Sequence, residues 1–97
     1  MKTLEEIETL LEKHKKDLKE RYDVREIGVF GSYVSGEQSE NSDVDILVEL
    51  GSPMGFVRFI QLERNISELL GVRVDLVTKK ALKPHIGQRI LKEVRYV

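Results

Sequence analysis

Asp43 and Asp45 stand two residues apart where the apolar run Val44 to Leu50 opens. Side chains at i and i+2 of a strand share a face, so the two carboxylates lean the same way. Anions held that close repel, and each raises the other's pKa unless a cation lies between them. Mg²⁺ suits such a pair, since it takes hard oxygen ligands and keeps positions for water and phosphate. Two aspartates that merely decorate a strand edge, or cap a turn, fit the same two letters. Upstream, an apolar run ends abruptly in Gly31-Ser32. Glycine lets a phosphate approach the backbone, amides at a helix start donate to it, and the Ser32 hydroxyl adds a donor. An ordinary strand-to-helix turn with Ser32 as N-cap explains the dipeptide equally well. Downstream, Asp75 lies between Val74 and Leu76, where a buried carboxylate needs a partner. A salt bridge from Asp75 to Arg73 or to a lysine is the competing account. Taken together, a glycine-serine turn, two carboxylates opening the next strand and one more in a third make a recipe for phosphoryl transfer. Three carboxylates can hold two metal ions, one for the attacking oxygen and one for the triphosphate.

Those residues need elements to hold them. Thr3 to about Tyr22 reads as a helix, with Thr3 and Glu6 forming a capping box and Leu4, Ile7, Leu11 and Leu18 on one stripe. Val24 to Phe30 is a strand, and a short helical turn over Tyr33 to Ser35 precedes Gly36. Glu37 to Ser42 has no apolar residue and forms a surface loop. Val44 to Leu50, rich in branched aliphatic side chains, is a buried strand broken by Gly51-Ser52-Pro53. Gly55 to Leu70 is a helix whose stripe is Phe56, Phe59, Ile60, Ile66, Leu69 and Leu70, with Leu62 at its margin and Gly71 at C′. Val72 to Val77 is a third strand, Lys79 to Glu93 a helix interrupted near Pro84, and Val94 to Val97 a short tail with room to be extended. The order predicts an α/β (α+β) fold, a small mixed sheet flanked by helices, built as one domain over residues 1–97. Strand order does not follow from these letters.

Composition narrows the function. The chain has 97 residues, with 16 basic against 17 acidic side chains and a net charge of -1. That near-neutral balance gives no reason to expect direct binding to nucleic acid. Cysteine is absent, which excludes disulfides, thiolate metal sites and a cysteine nucleophile. No run reaches membrane-spanning length and no apolar signal core follows Met1, so a cytoplasmic protein is expected. His14 sits on a helical stripe and His85 follows Pro84, neither with a neighbour at metal spacing, and both read as structural or solvent-facing. The phenylalanines of the long helix read as core. Tyr22, Tyr33 and Tyr96 could in principle accept a nucleotide, though a packing role suits them better.

The segments Gly31-Ser32-Tyr33-Val34-Ser35-Gly36 and Ser42-Asp43-Val44-Asp45-Ile46-Leu47-Val48 resemble the signature of the polymerase-β-type nucleotidyltransferases. The closer similarity is to their minimal members, found beside HEPN-domain proteins in prokaryotic toxin–antitoxin pairs. It spans nearly the whole chain. The resemblance implies the nucleotidyltransferase fold, with Asp43 and Asp45 as paired metal ligands and Asp75 as the third carboxylate, ligand or base to the attacking hydroxyl. It implies that Gly31, Ser32 and Ser42 bind the nucleotide, that Mg²⁺ is the cofactor, and that ATP is the substrate. The implied activity is transfer of AMP to a tyrosine hydroxyl of a HEPN toxin, silencing it. Two alternatives stay open: an antitoxin that neutralises its partner by binding alone, and nucleotidyl transfer to a small molecule such as an aminoglycoside. The resemblance also leaves room for a homo-oligomer.

One departure bears on phosphate binding. Many relatives carry an arginine in the short helix after the Gly-Ser pair, where this chain has Tyr33, Val34 and Ser35. A serine can hydrogen-bond a phosphate but cannot neutralise it. Arg58, Lys79 and Lys80 are the candidate substitutes, or the triphosphate is held more weakly.

Overall fold

The first helix starts where the sequence places it. In this computed structural model, which describes residues 2–97, α1 spans Leu4–Tyr22 and is closed by the expected capping box. The Glu6 amide donates to Thr3 Oγ1 at 3.1 Å, and the Thr3 amide donates to the Glu6 carboxylate at 3.2 Å. Asp23, left-handed at φ 56°, ends the helix and turns the chain into β1, Val24–Phe30. There follow α2 (Ser32–Ser35), β2 (Val44–Leu50), α3 (Phe56–Leu70) and β3 (Val74–Thr78). A 3₁₀ turn at Lys79–Ala81, then α4 (Pro84–Glu93) and the two-residue β4 (Arg95–Tyr96), complete the chain.

The four strands lie in the order β3-β2-β1-β4. β1 is antiparallel to β2 and to β4, while β2 and β3 run parallel, so the sheet is mixed. The β2 to β3 crossover is α3, the connection that parallel neighbours require. The pleat separates the side chains of β2. Val44, Ile46 and Val48 face the helical layer and join Ile7, Leu11, Leu18, Leu62, Ile66 and Leu70 in one core. Asp45, Leu47 and Glu49 therefore project from the opposite face.

Several expectations shift. Strand β3 runs Val74–Thr78 rather than Val72 to Val77. The interruption near Pro84 is a true break: Lys79–Ala81 is 3₁₀, and α4 restarts at Pro84, where a missing N–H costs nothing. The tail is extended and pairs with β1, Gly28 opposite Tyr96. The apolar stripe of α3 needs a larger correction. Leu62 is fully buried with Ile66 and Leu70, whereas Phe56 is 78% exposed and Ile60 is an exposed large hydrophobic. At about 100° per residue, Ile60 lies some 200° round the helix from Leu62 and cannot share its face. Phe59 packs partly against the core, but Phe56 and Val57 lie exposed in the first turn. Among the described residues, no helix is long and apolar enough to cross a membrane.

Candidate nucleotide site

Sheet register brings the predicted carboxylates to one end of one face. In the parallel pair, Asp45 lies directly opposite Asp75, and in the antiparallel pair Asp45 lies opposite Phe30, the last residue before Gly31. Asp43, two residues before Asp45, just precedes β2. Asp45 is half-buried, while Asp43 and Asp75 are exposed. The exposure of Asp75 corrects the idea of a carboxylate buried within its strand: its face of β3 is open, so it needs no internal partner. Arg73 does form an ion pair, but with Asp43, Nε to Oδ1 at 3.2 Å, and its guanidinium also donates to the Asn41 carbonyl at 3.0 Å.

The electrostatics of Asp45 register the crowding. Its carboxyl is pushed up to about 6 from an ordinary 3.8, first by burial and then by the charges of Asp75, Asp43 and Glu93. A hydrogen bond from the Ser32 backbone works in the other direction. Asp45 thus lies against the Gly31-Ser32 turn itself. Gly31 adopts φ 76°, ψ -147°, and a Cβ there would collide with the Asp45 carboxylate. Two independent constraints, handedness and space, require glycine at this position. Ser32 is the first residue of α2, with Gly31 rather than Ser32 as N-cap. Ser42 is occupied elsewhere: its hydroxyl accepts the Ser39 N–H at 2.9 Å, bracing the surface loop.

A cleft of about 380 Å³ opens beside the turn, lined by Gly31, Ser32, Glu37, Arg89, Ile90 and Glu93 among others. Here α4 contributes groups that sequence reasoning missed. Glu93 Oε1 accepts the Gly31 N–H at 3.1 Å across 62 residues of chain. Arg89 is a cation on the cleft wall. Only their i, i+4 spacing was visible beforehand, which places both on one helical face without saying what that face meets. The cations proposed from sequence lie elsewhere. Arg58 donates to the Arg21 carbonyl and stacks over the Tyr22 ring at 4.8 Å. Lys79 lies 3.4 Å from Glu26 and 3.5 Å from Glu49. Lys80 lines a separate hollow near Pro53 and Met54.

The donor set suits a hard divalent cation: carboxylate oxygens, the central one with its pKa raised by burial and then by its charged neighbours. Among the described residues, no three Asp, Glu or His side chains converge as a finished cage. Asp43 is directed at Arg73 and would have to turn for the pair to share an ion. His14 is half-buried, His85 exposed and Tyr33 buried, as a packing or solvent role requires.

The chain is similar to known proteins along most of its length. The sequence profile of the nucleotidyltransferase domain matches residues 11–97. The chain is 58% identical over 97 residues to the protein adenylyltransferase MntA of Thermococcus cleftensis, covering 100% of this chain and 98% of that protein. Among solved structures, one assigned provisionally as a minimal nucleotidyltransferase superposes with a TM-score of 0.74 at 33% identity, covering 92% of this chain and 93% of the other. A chain from a toxin–antitoxin crystal structure with AMP-PNP superposes with a TM-score of 0.70 at 25% identity, covering 95% of this chain and 69% of the other.

Proposed function

The chain belongs to the nucleotidyltransferase domain family, and from that premise we propose that it is the antitoxin of a toxin–antitoxin pair, one minimal domain that transfers AMP from ATP to a tyrosine hydroxyl of a HEPN-domain toxin. The observation that carries this reading is the placement of Asp45. It lies between Asp43 and Asp75 and against the Gly31-Ser32 turn, where carboxylates and phosphate donors meet in one end of the sheet. The relative named as a protein adenylyltransferase, similar along the whole chain, supports protein as the acceptor. The toxin–antitoxin neighbour with AMP-PNP supports a toxin as the partner and an adenine nucleotide as the substrate.

In this mechanism Gly31 and Ser32 orient the triphosphate, with Gly31 leaving room for the Asp45 carboxylate beside it. Asp43 and Asp45 would hold Mg²⁺, with Asp75 as the third carboxylate. The bound ion would supply charge neutralisation at the phosphates and polarisation of the attacking oxygen. The acceptor oxygen forms a bond to the α-phosphorus as the bond from that phosphorus to the bridging oxygen breaks, and pyrophosphate leaves. The acceptor's proton would pass to a carboxylate, and the exposure of Asp75 supports that residue as the one to take it. Ser42 acts through the loop, since its hydroxyl is committed to Ser39.

Intact mass spectrometry of the co-expressed toxin, incubated with this protein, ATP and Mg²⁺, tests the reading. AMP-sized additions are expected with the natural sequence and none with Asp43→Asn. A second reading, neutralisation by binding alone, draws on the Arg73 contact that diverts Asp43 from Asp45. A stable complex without any mass addition would select it.

A further inference from the structure

A carboxylate already occupies a phosphate donor. The Gly31 N–H, part of the turn that would hold the triphosphate, donates to Glu93 at 3.1 Å. A carboxylate oxygen and a phosphate oxygen are equivalent acceptors for such an amide, and both carry negative charge. Glu93 therefore occupies a donor that the proposed triphosphate would use, and it adds to the negative charge around Asp45. One turn earlier on the same helical face, Arg89 lines the same cleft and makes no ion pair among the described residues. The cleft thus carries an anion on its donor and a spare cation beside it.

The helix that presents them is lightly anchored. Along α4 only Gly87 is buried, and Ile86 and Leu91 are 62% and 42% exposed. The residues flanking it, Lys83 and Val94, are extended. A helix with so little buried surface can shift against the sheet with small loss of packing.

We propose that α4 gates the nucleotide cleft: Glu93 plugs the Gly31 amide in the free protein, the triphosphate displaces it, and Arg89 then supplies the cation that α2 lacks. The inference rests on the nucleotide reading above and assigns the phosphate-neutralising role left open by Tyr33, Val34 and Ser35. Arg89 is a positioning residue for the polyphosphate, and Glu93 is its competitor.

Calorimetric titration with α,β-methylene ATP, which cannot donate AMP, tests the gate in the presence of Mg²⁺. Glu93→Gln keeps the shape and removes the charge, and affinity should rise about threefold to tenfold. Arg89→Gln should weaken binding by about tenfold, with Arg89→Lys intermediate because an ammonium retains charge but not the fork. Adenosine, which lacks phosphates, should bind all four proteins alike. That control separates a phosphate role from a merely structural one, and thermal unfolding of each variant checks that the fold as a whole is kept. Unchanged affinity for the triphosphate analogue in either Glu93→Gln or Arg89→Gln overturns the gate while leaving the nucleotide reading intact. Failure of the unaltered protein to bind the analogue overturns the nucleotide reading, and the gate with it.

Discussion

Asp45 carries two opposed requirements, and its ionisation exposes them. Its carboxyl is pushed up to about 6 in the folded protein against 3.8 ordinarily, so the native state holds a proton that the unfolded chain has released. Between those values the native state binds more protons, and stability falls as pH rises through the window. At a half-exposed carboxylate, solvent screening limits the loss to on the order of 1 kcal/mol. Metal-free protein should thus be less stable at pH 7 than near pH 4 through this group, and Asp45→Asn should flatten that part of the profile. Urea unfolding of both proteins across the window measures the difference, and parallel curves would show that folding does not raise the Asp45 pKa. Gly31 offers a harsher test. Alanine there meets both a left-handed backbone and the Asp45 carboxylate, so Gly31→Ala should lower stability by about 1–3 kcal/mol and reduce transfer far more than that loss accounts for. Chemical denaturation alongside toxin modification separates the two effects. The carboxylates and the glycine were legible in the sequence because side-chain type and a two-residue spacing are local properties. Glu93 and Arg89 were not, because their meaning depends on a contact made across 62 residues.

At the scale of elements, local signals decided what formed, and packing decided which way it faced. The capping box, the breaks at Gly51-Ser52-Pro53 and the left-handed Gly71 at the end of α3 all act within a few residues, and each element they delimit appears. The orientation of α3 was misjudged because a helix with apolar residues on more than one side offers several faces, and only the sheet chooses among them. The correction is testable. Leu62→Ala should destabilise by about 2–5 kcal/mol, whereas Ile60→Ala should stay within about 0.5 kcal/mol of the natural protein. Equal losses in thermal or denaturant melts would return α3 to the face expected from its sequence. The strand β4 was visible only as a tail, since two residues of extended chain carry no periodicity. Its place is set by Val97, whose N–H donates to the Ile27 carbonyl at 2.9 Å, and by the pairing beside Gly28.

For the molecule as a whole, the division of the sheet into two unlike faces explains how so short a chain can hold both a core and a site. One face is closed by α1 and α3 around the aliphatic core, and the other carries Asp45 and Asp75 at one end with Glu26, Glu49 and Lys79 nearer the other. Strand order, which no local pattern encodes, is what makes Asp45 and Asp75 neighbours. A one-residue slip of β3 against β2 would set Val74 or Leu76 opposite Asp45 and turn Asp75 toward the helices. The same long-range logic governs when the cleft comes into being. The β1–β2 ladder needs no residue beyond 50, but the bond that closes Gly31 to Glu93 spans 62 residues of chain. During synthesis, then, Asp43 and Asp45 are made well before Glu93 can accept from the Gly31 N–H. A ribosome-bound fragment lacking α4 would present a Gly31 amide without its carboxylate acceptor.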